Sequence, residues 1–293
     1  MSINYRQKTL IGLLSAFGGN LPSLDFQKYL FLYTHEFQKE PSFEFIPYKF
    51  GCFSFQSYAD KRRLIEIGLL WEGDDWRLKN PSKQPSLFDE EQFDAFYERY
   101  AQLKGDPLIQ DIYRRYPYFA INSGIAKRLM NSQELKNIHE HRPQNSEPCF
   151  FTIGYEGSSF EGYLNRLIKN NIHTLVDVRR NPLSRKYGFS KKTLCDTVQK
   201  LGIDYVHIPA LGIASDKRQE LATQEDYERL FDEYEKQDLK QNQAALKQLL
   251  NLVIDRKRVA ITCFEAHVCM CHRSRVAKAL SALPEWDYNI QHI

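Results

Sequence analysis

Residues 259–280 read VAITCFEAHVCMCHRSRVAKAL, and the fold of the C-terminal half turns on how they divide. Val259 to Cys263 form a β-branched, continuous apolar run, the pattern of a strand buried on both faces. Val276, Ala277 and Leu280 then recur at helical spacing, which starts a helix near Cys271 to Arg273. Strand, polar loop, helix is the repeating unit of a parallel sheet, because parallel neighbours need a crossover connection.

The same alternation extends upstream. CFFTIG (149–154), HTLVDV (173–178), DYVHIP (204–209) and RVAITCF (258–264) read as buried strands. Helical patterns separate them: FEGYLNRLIKN (160–170), SKKTLCDTVQKLG (190–202) and two helices between residues 224 and 255. Residues 148–293 are therefore expected to form an α/β domain with a mostly parallel, Rossmann-like sheet covered on both faces.

Residues 1–80 have a different rhythm. TLIGLLSAF and SLDFQKYLFLYTHEF carry apolar residues at helical spacing, with Ser23 as N-cap of the second. FEFIPYKFG is extended, SFQSYADKRRLIEIGLL is again amphipathic, and LLWEGDDWRLK alternates as a hairpin around Gly73 and Asp74. Helices followed by a two-stranded wing predict a mainly helical, winged-helix-like domain. Residues 81–147 read as a helical connector and linker. It holds the polar break NPSKQPS, the helices EEQFDAFYERYAQL and DPLIQDIYRRYPYFA (the second stopped by Pro117), and the linker NIHEHRPQNSEP.

Bulk composition excludes several classes. A net charge of +3 over 293 residues gives no global pull toward nucleic acid or membrane, so any electropositive site must be local. No apolar stretch approaches the roughly 20 residues that span a bilayer. The N-terminus lacks a cleavage pattern, and six irregularly spaced cysteines make no disulfide framework. A cytoplasmic protein with reduced thiols is expected.

In an open α/β sheet, ligands bind beyond the carboxyl ends of the strands. Here that edge carries GYEGSS, RRNPLSRKYGFS, ALGIASDKR and EAHVCMCHR. The second loop and the residues after it hold Arg179, Arg180, Arg185, Lys186, Lys191 and Lys192 with no acidic residue between 179 and 192. Tyr187 and Phe189 are interleaved, which suits a phosphate backbone with a stacked base; a solvated basic loop is the plainer alternative. Asp177 is placed to orient Arg179.

In the opening stretch, His272, Arg273 and Arg275 sit at a helix N-terminus, where the dipole already disfavours cations. A bound anion resolves that conflict, as does an internal anion from Glu265 or Asp177. Two rival readings share the residues. Cys263, His267, Cys269, Cys271 and His272 are zinc-capable types, but the spacing lacks paired Cys-x-x-Cys hooks. Cys269 and Arg275 have the Cys-x5-Arg spacing of a thiolate nucleophile, without the glycines such a loop needs. No metal and no cofactor are assigned. Glu156 and Glu265, with His272 and Tyr155 nearby, supply carboxylate for proton transfer.

The blocks FTIGYEG, LVDVRRNPLSRKYGFS, LGIDYVHIPALG and TCFEAHVCMCHRSRVA resemble the family called "domain of unknown function 488", over residues 148–293. The family's Asp-Val-Arg, Pro-x-Ser-Arg, Cys-x-Glu and Cys-His-Arg fall on Asp177 to Arg179, Pro182 to Arg185, Cys263 to Glu265 and Cys271 to Arg273. Tyr155 and Glu156 stand where many members have His-Ser. The resemblance implies a fold and a site but no reaction. The N-terminal part is similar to winged-helix segments joined to such domains, which implies DNA-linked activity in a bacterial defence or stress setting.

Three readings follow. The first is a hydrolase of a glycosidic or phosphoester bond in nucleic acid or a nucleotide. Glu265, Glu156, His272 and Asp177 form its catalytic group. Arg179, Arg180, Arg185, Arg273, Tyr155, Cys263 and Cys271 surround the phosphate or ligand. Ser57, Lys61, Arg62, Arg63, Lys186 and Tyr187 reach nucleic acid. The second is a non-enzymatic, ligand-sensing regulator of DNA or a partner protein. The third makes the winged helix an oligomerisation module, and the protein a homodimer.

Overall fold

The computed structural model describes residues 3–81, 90–214, 217 and 223–293. Residues 82–86 of the polar break and residues 215, 216 and 218 of the third loop lie outside them. The chain divides into two compact units, Met1–Arg142 and Pro143–Ile293. Among the described residues no helix is long and apolar enough to cross a membrane, and no disulfide joins any of the six cysteines.

The first unit runs α1 (Tyr5–Ala16), β1 (Asn20–Leu21), α2 (Ser23–Glu36), β2 (Ile46–Tyr48), β3 (Gly51–Phe53), α3 (Phe55–Glu66), β4 (Trp76–Arg77), α4 (Glu90–Tyr100), α5 (Asp106–Arg115), α6 (Ala126–Leu129) and α7 (Ser132–Glu140). Helix α1 starts earlier than its apolar run because Asn4 and Gln7 make a reciprocal capping box. Ser23 is the first residue of α2 and not its cap; its hydroxyl turns to the Asp74 carbonyl. β1 pairs with β4, and Leu70 bridges Leu78 across the Gly73 turn. Phe26 stacks on the buried Trp76 at 3.8 Å between ring centroids, which fixes α2 against that hairpin. The segment expected as a connector supplies core: Phe93 and Phe96 of α4 and Ile109 and Ile112 of α5 are buried. The first four residues of the expected linker, 137–140, are the end of α7, which is capped by Asn131 with Glu134.

The second unit runs β5 (Cys149–Gly154), α8 (Phe160–Lys169), β6 (Thr174–Asp177), α9 (Lys191–Lys200), β7 (Asp204–His207), α10 (Gln224–Glu233), α11 (Gln243–Arg256), β8 (Arg258–Cys263), α12 (His272–Ser281) and β9 (Asn289–His292). Its five strands form one parallel sheet in the order β7-β6-β8-β5-β9. The sheet is thus parallel as expected. Its order in chain sequence is third, second, fourth, first, fifth, where the Rossmann arrangement is third, second, first, fourth, fifth.

That order positions the site. The connections β5 to β6 and β6 to β7 run one way across the sheet, while β7 to β8 and β8 to β9 run the other. Right-handed crossovers then put their helices on opposite faces. Val259 and Ile261 of β8 and Val176 of β6 pack in a core with Leu249, Leu250 and Val253 of α11 and Val276 and Leu280 of α12. On the other face Tyr163 of α8 donates to the Thr262 hydroxyl at 2.9 Å. From the adjacent strands β6 and β8 the chain departs in opposite directions, which opens a crevice between their carboxyl ends.

Lys28 of α2 is buried, and its Nζ donates to the Cys52 carbonyl at 3.1 Å. Burial pushes its pKa down, against weaker opposing effects of Cys52 and Asp25. The unfolded chain therefore binds more protons between the folded pKa and the ordinary lysine value, so stability rises with pH across that window. Lys28→Met should flatten this rise and leave the protein about 1 kcal/mol or more stable at neutral pH. Thermal melts at a series of pH values check both.

Candidate active site

At the end of β6, Asp177 is fully buried and Arg179 nearly so. They form a two-pronged ion pair, with Arg179 Nε to Asp177 Oδ1 at 2.9 Å and Nη2 to Oδ2 at 2.6 Å. Arg179 Nη1 donates to the Tyr155 hydroxyl and the Phe189 carbonyl, both at 2.8 Å. Tyr205 of β7 donates its hydroxyl to Asp177 Oδ2 at 2.6 Å. Burial alone would lower the Arg179 pKa, but its bonds to Asp177 and the attraction between them hold it above the ordinary arginine value. Tyr155 lies flat against Phe189 with centroids 4.2 Å apart. Asp177 and Arg179 are therefore structural: both carboxylate oxygens and all three guanidinium nitrogens are engaged within the chain.

The start of α12 is settled internally as well. Arg273 turns back and donates Nη1 to the Glu265 carbonyl and Nη2 to the Ala266 carbonyl, the latter at 2.7 Å. Arg275 pairs with Glu235 at 2.9 Å. The misplaced cations thus take backbone and carboxylate oxygens of the chain, and an external anion at this terminus loses its motive. Gly154, at the end of β5, makes the arrangement feasible: a Cβ there would collide with the Glu265 carbonyl and crowd the Arg273 guanidinium.

Within this frame the cysteines of the β8 loop part company. Cys269 is exposed and Arg275 is engaged by Glu235, so the Cys-x5-Arg pair does not close into a thiolate pocket. Cys263 and Cys271 are buried and meet at His272. His272 Nδ1 lies 3.5 Å from Cys263 Sγ and 3.9 Å from Cys271 Sγ, while its Nε2 is 3.3 Å from the Val178 carbonyl. Cys263 donates to Glu265 Oε2 at 3.1 Å. Donor atoms of Cys263, Glu265, Cys271 and His272 all lie within 4.8 Å of one another. Burial, with Cys263 and Glu265 close by, holds the Cys271 thiol well above the ordinary cysteine value, despite the opposing Arg273. Metal-ligand types that looked unpaired along the chain are brought together by the fold; His267 and Cys269 are not among them.

Two cavities adjoin this cluster. One, of about 370 Å³, is bounded by Tyr155, Arg180, Ser184, Arg185 and Phe264, and reaches Cys263. The other, of about 430 Å³, is lined by Glu156, Phe264, Glu265, His267, Phe231 and Met270. Arg180 and Arg185 are exposed at the first. Lys186 is spent on the Tyr155 carbonyl at 2.9 Å, and Tyr187 packs edge-on to Phe160. Glu156 is exposed and accepts from the Ala266 N–H at 3.0 Å.

Residues 159–280 match the model of the family described as "Domain of unknown function DUF488". The C-terminal unit carries a DUF488 domain. The match lies inside the stretch whose motifs resembled that family. The DUF488 motif residues thus fall into three groups. Asp177, Arg179 and Arg273 build the frame, Arg185 faces the cavity, and Cys263, Glu265, Cys271 and His272 converge. No curated protein and no solved structure matches the chain.

Of the residues expected to reach nucleic acid from the first unit, Ser57 and Lys61 face inward. Ser57 accepts from Gln27 at 2.8 Å. Lys61 donates to the carbonyls of Gly73, Asp74 and Asp75 at 2.8–3.0 Å and holds the hairpin turn. Arg62 and Arg63 are exposed.

Asp177→Asn strands a buried guanidinium, so it should cost about 3–5 kcal/mol. Tyr155→Phe removes one hydrogen bond and should cost about 1 kcal/mol. Urea unfolding of both variants measures the difference.

Proposed function

We propose that the protein is a hydrolase of a glycosidic or phosphoester bond in a nucleotide or nucleic acid, with the phosphate held by Arg180 and Arg185. One observation carries this reading: a cavity of about 370 Å³ opens at the switch point between β6 and β8 with two exposed guanidinium groups on its wall and a carboxylate-lined cavity across Phe264. Its size suits a nucleotide-sized ligand. Guanidinium forks match phosphate oxygens, and these two face solvent, with Arg180 Nη1 alone held at 3.4 Å from the Pro209 carbonyl. Glu156 is the exposed carboxylate beside the cluster, and proton transfer falls to it. Asp177 and His272, both fully buried, support the site without touching substrate.

The first unit is read as winged-helix-like and as the part that docks on DNA. The order of helices and the hairpin closed by Leu70 and Leu78 support that reading. On α3, Arg62 and Arg63 are the exposed cations, Arg63 in an ion pair with Glu66 at 2.8 Å. On the hairpin, Trp71 is 46% exposed with Arg77 and Lys79 at 5.4 and 5.0 Å from its ring, a stacking platform with cations beside it.

The full chain, incubated with a panel of nucleotides and DNA oligonucleotides and followed by mass spectrometry, should release a hydrolysis product. Arg180→Ala and Arg185→Ala should each weaken ligand binding about 10-fold or more. Glu156→Gln should keep binding and lower turnover about 100-fold or more. Undiminished binding by the Arg180→Ala/Arg185→Ala double variant would sink the phosphate assignment. Binding without any product would favour the ligand-sensing regulator instead.

A further inference from the structure

We propose that Cys263, Glu265, Cys271 and His272 form a binding site for one zinc ion. The site is independent of the reaction proposed above, because it rests on how four side chains converge and not on what occupies the neighbouring cavities.

Geometry comes first. The four donor atoms lie within 4.8 Å of one another. Around a tetrahedral zinc, the usual bond lengths to sulfur, nitrogen and oxygen separate the donors by about 3.3–3.8 Å. An inward movement of about an ångström therefore closes the shell. The ligands come as two pairs from two well-held places: Cys263 and Glu265 from the end of β8, and Cys271 and His272 from the start of α12. Arg273 ties these places together through the Glu265 and Ala266 carbonyls.

The histidine supplies the second observation. A carbonyl oxygen only accepts, so the contact of His272 Nε2 with the Val178 carbonyl assigns the proton to Nε2. In the neutral ring Nδ1 then carries the acceptor lone pair, and it is the atom that faces both sulfurs. Metal-ligating histidines are oriented in just this way, with the far nitrogen fixed on a carbonyl.

Charge completes the case. Arg273 is buried, and its guanidinium meets the Glu265 and Ala266 carbonyls with no carboxylate in an ion pair to it among the described residues. Two thiolates and one carboxylate around a divalent ion carry one net negative charge, which balances that guanidinium. Thiolate with imidazole favours zinc over magnesium or calcium. Glu265 is the one half-exposed ligand and lines the larger cavity, so it is the ligand that water or a substrate oxygen would displace.

Protein purified from zinc-supplemented cells should contain close to one zinc per chain by elemental mass spectrometry. After chelation, cobalt should restore near-ultraviolet thiolate-to-metal bands and the visible bands of a four-coordinate ion. Cys263→Ser and Cys271→Ser should lose the metal, and Cys269→Ser should retain it. Should the first two variants fail to fold by circular dichroism, wild-type protein decides: zinc should protect Cys263 and Cys271 from alkylation and leave Cys269 reactive. Folded protein from zinc-supplemented cells that holds only trace metal, with no protection of Cys263 and Cys271 by added zinc, would overturn the site. So would full zinc retention in folded Cys263→Ser and Cys271→Ser. Metal content is read without turnover, so failure here and failure of the hydrolase reading are told apart.

Discussion

The buried pair of Asp177 and Arg179 is the constraint on which the C-terminal unit is arranged. Desolvating two charges costs several kcal/mol each, and only good geometry with the hydrogen-bonding groups satisfied offsets that. Arg179 meets the condition by spending Nε and Nη2 on Asp177 and Nη1 on Tyr155 and Phe189. One side chain thereby joins the end of β6 to the loop after β5 and to the far end of the loop after β6. Tyr205 adds β7 through the same carboxylate. This fork ties the rim of the crevice together with all three guanidinium nitrogens engaged.

A second tie works on the other side of β8. Arg273 could have pointed at solvent from the first turn of α12; it folds under the loop and binds two carbonyls. The close approach needs a residue without a side chain at Gly154. Frame and cavity wall are therefore built from neighbouring letters, with the buried guanidiniums holding the frame and the exposed ones, Arg180 and Arg185, lining the cavity.

Much of this was legible in the sequence. The four apolar runs are strands within a residue or two: burial throughout β5, β6 and β8 leaves an unbroken signal, whereas β7, expected as a buried strand, is a half-exposed edge. Strand β9 was missed: NIQH is an exposed edge and carries no such run. Charge was legible as a cluster but not as a set of roles. Arg179 and Arg180 are neighbours in sequence, yet alternation along the chain sends one inward to Asp177 and one outward. Lys61 fits the exposed face of an amphipathic helix by type, but its long stem lets the ammonium reach the carbonyls of a turn twelve or more residues away. The cysteine and histidine letters were visible too. Their convergence was not, because Cys263 and Glu265 leave one strand and Cys271 and His272 open a separate helix, so no local hook spacing records it.

The most direct measurement is a crystal structure of the full chain soaked with a nucleoside monophosphate. Phosphate density is expected against Arg180 and Arg185, in front of Cys263, with the Asp177–Arg179 fork and the Arg273 contacts unchanged. Phosphate seated instead on the first turn of α12, with Arg273 swung out to meet it, would contradict the division between framing and ligand-facing arginines.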